Sequence, residues 1–86
     1  MTLAYSAPLL AVSSITGLPS KSVAGRACTT GSIKWDDGLA AHYNFYGRGH
    51  IEFFGWNKPQ TAGEVCSTKD GFDARVKSAL AALARK

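Results

Sequence analysis

The chain is poor in the residues that usually announce a mechanism. Its 86 residues include two cysteines, three prolines and one methionine. Two distant cysteines, Cys28 and Cys66, exclude a disulfide-framed scaffold. In a secreted chain they could form one bridge; in a cytosolic chain they read as two small buried residues. With His42 and His50 they make a two-Cys, two-His set at intervals unlike a zinc knuckle, so no metal site is expected. No apolar run approaches the roughly 18 residues of a membrane span. The apolar patch Ala7–Val12 has no Lys or Arg before it, and a signal peptide needs a basic leader, so the reading is cytoplasmic and without a membrane partner. Low-complexity tracts, repeats and runs of like charge are also missing.

Acidic residues are scarce as well. Six Asp/Glu face ten Lys/Arg, a formal net charge of +4. Residues 1–27 carry Lys21 and Arg26 and no acid, and residues 67–86 set Lys69, Arg75, Lys77, Arg85 and Lys86 against Asp70 and Asp73. A surplus of this size suits contact with nucleic acid or an acidic protein surface and compels neither. Chains this short bury roughly 60–65% of their unfolded surface, enough for one small domain over residues 1–86.

What is present centres on Leu39 to Trp56, LAAHYNFYGRGHIEFFGW. Apolar and polar residues alternate, break at Gly47-Arg48-Gly49, and alternate again, which is the pattern of a β-hairpin. A three-residue connection sets Tyr46 opposite His50, Asn44 opposite Glu52 and Phe45 opposite Ile51, so each face keeps its character on both strands. Leu39, Ala41, Tyr43, Phe45, Ile51 and Phe53 form the apolar face. His42, Asn44, Tyr46, His50, Glu52, Phe54 and Trp56 form a mixed one.

Around the hairpin the remaining elements follow from local signals. Ser32–Trp35 reads as a short strand joined to the hairpin through an Asp36-Asp37-Gly38 turn. Ser6-Ala7-Pro8 can open a helix with Leu9, Leu10, Val12 and Ile15 as its stripe. Pro19-Ser20 can open a second short helix, and Cys28–Gly31 is a connection. Residues 57–68 read as a loop. Phe72, Val76, Ala79, Leu80 and Leu83 recur at helical spacing over Phe72–Arg85. The expected fold is therefore α+β: one or two short N-terminal helices, a three-stranded antiparallel meander, and a long C-terminal helix packed on the sheet.

The segment from Leu10 to Arg26 has a further pattern: Leu10, then Ser13, then Gly17-Leu18-Pro19, then Val23. It resembles the helix-turn-helix of bacterial DNA-binding regulators whose motif reads T-G-L-P-x-x-x-V, with Gly25-Arg26-Ala27 where the family closes on an apolar residue. In that motif small residues let two short helices cross closely and Gly makes the bend. The resemblance implies a winged-helix-like DNA reader with Ser20, Lys21, Ser22 and Arg26 at the groove and Arg48 at a wing tip, contacting phosphates or base edges.

The mixed hairpin face offers a second surface. Aromatics interleaved with Arg and His can stack bases, and the same residues populate protein hot spots. His42, Tyr46, His50, Phe54 and Trp56 are its candidates for a protein partner. A third arrangement, His42, Arg48, His50 and Glu52, has the parts for acid–base cleavage of a phosphodiester. The run His42-Tyr43-Asn44-Phe45-Tyr46 is faintly similar to one in microbial guanyl-specific ribonucleases, but the other motifs of that family are missing, so no enzyme and no cofactor is expected. The functional expectation is a small nucleic-acid-binding protein, a DNA-binding regulator of the phage or mobile-element type. The alternative is a small inhibitor or adaptor that occludes a host or defence protein complex without chemistry.

Overall fold

In the computed structural model, which describes residues 11–67 and 69–84, five strands precede two helices: β1 (Val12–Ile15), β2 (Leu18–Lys21), β3 (Ala27–Trp35), β4 (Ala40–Gly47), β5 (His50–Phe54), α1 (Pro59–Cys66) and α2 (Lys69–Ala84). The strands form one antiparallel sheet in the order β1-β3-β4-β5, with β2 also paired to β3. From Ser14 opposite Lys34 to Lys21 opposite Ala27 the register does not slip. β1 and β2 are thus two halves of a single edge strand, interrupted at Thr16–Gly17.

The interruption has a steric cause on each side. A Cβ on Gly31, in β3, would lie 1.8 Å from the Thr16 carbonyl oxygen, and one on Gly17 would lie 2.6 Å from the Tyr43 hydroxyl. The backbones therefore approach where neither residue has a side chain. The Tyr43 hydroxyl donates to the Thr16 carbonyl at 2.7 Å, and Thr16 N–H donates to the Ser32 carbonyl at 2.9 Å. Residues of Thr16 parity bond inward to β3. Pro19 has the opposite parity, so its missing N–H falls on the open edge, where a strand tolerates proline.

Each turn has its own chemistry. Ser22 closes the β2–β3 loop: its carbonyl accepts from Gly25 N–H at 2.8 Å and its hydroxyl from Arg26 N–H at 3.1 Å, with Gly25 at φ +83°. Asp36-Asp37-Gly38 forms the expected β3–β4 turn, with Gly38 at φ +90° and the Asp37 carboxylate accepting from Leu39 N–H at 3.1 Å. At the β4–β5 turn Arg48 and Gly49 both have positive φ, 54° and 78°, the signature of a two-residue type I′ connection. Gly47 pairs with His50, and a bulge absorbs the extra residue before Phe45 pairs with Ile51.

One sheet face is the core. Ile33, Trp35, Leu39, Ala41, Tyr43, Ile51 and Ala79 are buried together, with Phe53, Trp56, Val76, Leu80 and Leu83 packed against them. Trp35, fully buried, sits edge-on to Phe53 at 5.4 Å and stacks on Trp56 at 5.9 Å. Its indole N–H donates to the Ser78 hydroxyl of α2 at 2.8 Å. Arg75 of α2 lies over the Trp35 ring at 4.8 Å and reaches the Asp37 carboxylate in the β3–β4 turn. α2 therefore crosses the apolar face as expected, held by its small Ala79 and Ala82 and by this polar clasp.

The expected three-residue hairpin connection with Tyr46 opposite His50 is replaced by the two-residue turn and bulge that pair Gly47 with His50, and four further expectations about the fold are corrected. The sheet has five strands rather than three. No helix occupies residues 11–27, where β1, β2 and the β2–β3 loop stand instead; the remainder of the expected first helix lies outside the described residues. Val-Ser-Ser-Ile-Thr, residues 12–16, is rich in β-branched and hydroxyl side chains that favour a pleated strand over a helix once a partner strand is available. The Ser32–Trp35 strand extends back to Ala27, absorbing the connection expected at Cys28–Gly31. Residues 59–66, expected as loop, form α1, which starts on Pro59 in the first-turn position where a missing N–H costs nothing.

The open sheet face as candidate interface

The second sheet face is covered by no described element. Register fixes its composition in rows. Thr16, Ser32, His42 and Phe54 share one row, and Leu18, Thr30, Asn44 and Glu52 the next. Ser14 and Lys34 lie beyond the first row, and Ser20, Cys28, Tyr46 and His50 beyond the second.

The aromatic residues fall into two groups. His42 and Phe54 pair at 5.7 Å between ring centroids, and Phe54 is 44% exposed. At the other end, Tyr46 and His50 pair at 4.9 Å, and the Arg26 guanidinium lies 4.6 Å over the Tyr46 ring. Arg26 arrives from the β2–β3 loop and His50 from β5, so Tyr46 stands between a cation and an imidazole across three strands. Such a guanidinium–aromatic contact contributes about 0.5–1 kcal/mol at an exposed site.

Polar contacts surround the Tyr46 group. Thr30 donates to Asn44 at 2.9 Å, the Tyr46 hydroxyl donates to Glu52 at 3.1 Å, and His50 lies 3.7 Å from the other Glu52 oxygen. The Tyr46 phenol is raised above its ordinary value by desolvation, and further by the bond to Glu52, while Asn44 acts in the opposite direction. Thr16 and Ser32 share a hydroxyl–hydroxyl bond of 3.2 Å. Glu52 is the single carboxylate among the described strand residues of this face. Lys34 and Arg26 stand on the face, and Arg48 is exposed at the β4–β5 turn.

The residues singled out from sequence are distributed as follows. Ser20 is exposed on the open face in β2, whereas Lys21 falls on the opposite parity of the same edge strand. Ser22 is spent on closing its own loop, and Arg26 joins the Tyr46 group. Four of the hairpin candidates, His42, Tyr46, His50 and Phe54, share the open face. Trp56 does not: Gly55 at φ +63° reverses the alternation and sends Trp56 into the core against Trp35 and Phe53. His42 of β4 and His50 of β5 lie in separate rows, and Tyr46, the ring beside His50, is four residues from His42 along β4, roughly 13 Å. The expected grouping of His42 with Arg48, His50 and Glu52 is thus not assembled. Among the described residues no cluster of metal-ligating side chains occurs, and Cys28 is a free, half-buried thiol. The Cys66 side chain lies outside the described residues.

Lys34, Leu18 and, Ser20 apart, the hydroxyls of β1, β2 and β3 were missed by sequence reasoning. Their signal was the alternation Ser14, Thr16, Leu18, Ser20 and Cys28, Thr30, Ser32, Lys34. A separate depression of about 490 Å³ beside Gly55, Trp56, Pro59, Ala62 and Gly63 is lined by no charged side chain. Comparison with known proteins finds no matching family model, no similar curated protein and no similar solved structure.

Proposed function

We propose that this chain is a small nucleic-acid-binding domain and that its ligand lies on the open sheet face. The observation that carries the reading is the Arg26–Tyr46–His50 cluster, repeated in simpler form by His42–Phe54, on a face with Lys34, beside the exposed Arg48; the single carboxylate among the described strand residues of that face is already engaged. Planar rings supply sequence-tolerant contact with bases, and the cations supply the attraction to phosphate. Ser20, Lys21, Ser22 and Arg26 then act from a strand and its loop, at the margin of the sheet, and not from a recognition helix.

The test is a salt titration of binding to mixed single- and double-stranded oligonucleotides. Affinity should fall steeply with salt, and Arg26→Ala and Lys34→Ala should each lower the logarithmic salt slope by about one unit if each contacts a phosphate. Absence of binding at low salt rejects the proposal.

A second reading, an inhibitor or adaptor that occludes a protein partner, rests on Leu18 and Val23. They are 73% and 111% exposed, Leu18 on β2 and Val23 in the β2–β3 loop. Under that reading Leu18→Ala and Phe54→Ala weaken a complex that survives high salt.

A further inference from the structure

We infer that the open face takes single-stranded RNA in preference to duplex; the inference rests on the nucleic-acid reading above. In a duplex the base faces are occupied by their neighbours at a rise of about 3.4 Å, and only edges and backbone are offered to a protein. The two aromatic groups here are separated by four residues of β4, roughly 13 Å. They stand on a pleated surface with neither a helix nor a projecting β-ribbon at that place to enter a groove. Planar groups so spaced match bases that are unstacked and splayed, each lying on its own platform. The outer face of the His50 ring serves one base, and the Phe54 ring serves another.

Between and beside the platforms runs a strip of hydroxyls: Ser14, Thr16 and Ser20 on the edge strand, Thr30 and Ser32 on β3. Hydroxyls both donate and accept, as does the ribose 2′-hydroxyl that distinguishes RNA from DNA. Lys34 closes the strip at one end and Arg26 at the other, each placed for a phosphate. The strand would run along β3 and β4, with sugars toward the edge strand and bases toward β4 and β5.

The experiment is an anisotropy titration of the whole chain against a labelled single-stranded RNA, the DNA strand of the same sequence, and the matched duplex, at one salt concentration. The RNA strand is expected to bind best. Phe54→Ala should weaken it by about tenfold, within the range for one lost base–aromatic stack, and leave the thermal midpoint unmoved. Thr30→Val with Ser32→Ala should narrow the gap between RNA and DNA. Duplex affinity equal to or above that of the RNA strand overturns the single-strand inference while the nucleic-acid reading stands. Equal affinity for the RNA and DNA strands overturns the choice of RNA. No binding to any of the three removes the nucleic-acid reading itself.

Discussion

Arg75 and Asp37 bind each other across the helix–sheet junction, with guanidinium-to-carboxylate distances of 2.5 and 3.4 Å. The Arg75 side chain is 6% exposed and that of Asp37 43%, so the pair has a dry end and a wet end. Arg75 also covers Trp35, and its Nε is buried without a hydrogen-bond partner. A cation so placed depends on its one carboxylate.

Removing that carboxylate should therefore cost more than removing the cation. Asp37→Ala is expected to destabilise by about 2–3 kcal/mol, below the 3–5 of a fully buried pair because solvent screens the Asp37 side. Arg75→Met keeps the apolar contact with Trp35 and should cost about 1 kcal/mol. Urea midpoints of the two variants check the ordering, and a larger loss for Arg75→Met would contradict it.

The same pair sets a pH dependence. The Arg75 hydrogen bond holds the Asp37 carboxyl below its ordinary 3.8, with Leu39 N–H assisting and burial opposing. A carboxyl that is more acidic when folded contributes stability in full above its unfolded value. That contribution is lost as pH falls through that value toward the folded one. Stability of the native chain should drop below about pH 4, and Asp37→Asn should remove part of the slope there. Parallel stability–pH curves for the two proteins would disprove the assignment.

Glycine substitutions should separate two kinds of constraint. Gly31→Ala puts a methyl carbon 1.8 Å from backbone that cannot swing away. It should cost about 3 kcal/mol or more by displacing the edge strand. Gly25→Ala meets open space and bears only the strain of its positive φ, about 1–2 kcal/mol. Denaturant melts of both variants, with amide exchange of residues 12–21 for any folded Gly31→Ala, test the contrast.

Core truncations should rank by burial. Leu39, 1% exposed, should lose about 2–5 kcal/mol on replacement by Ala, and half-buried Leu80 near the bottom of that range. Ser78→Ala leaves the buried Trp35 indole N–H without its acceptor, a cost of about 1–3 kcal/mol. Thermal melts that leave Ser78→Ala at the native midpoint would show that the indole finds another partner.

The hairpin and α2 could be read from sequence because their residues admit one periodicity. Tyr43, Phe45, Ile51 and Phe53 repeat every second position, and Val76, Ala79, Leu80 and Leu83 repeat every third or fourth. Val12 and Ile15 fit a helix as well as a strand, and only the non-local partner β3 decides between them. Trp56 was misassigned because the alternation ends at Gly55, and a backbone reversal at one glycine leaves no mark in the pattern. α1 was hidden by Pro59 and Gly63, which read as loop residues until the tertiary contact is known. The candidate interface was half legible: its β4–β5 part follows from the hairpin, whereas its β1–β3 part depended on recognising the long edge strand.

The residues that stabilise the domain are almost all on one sheet face. Phe54, His42, Lys34 and Leu18 can change with little penalty to folding, because each already faces solvent. Drift on the open face is therefore only weakly limited by folding, while drift on the opposite face is limited by Trp35 and the helix above it.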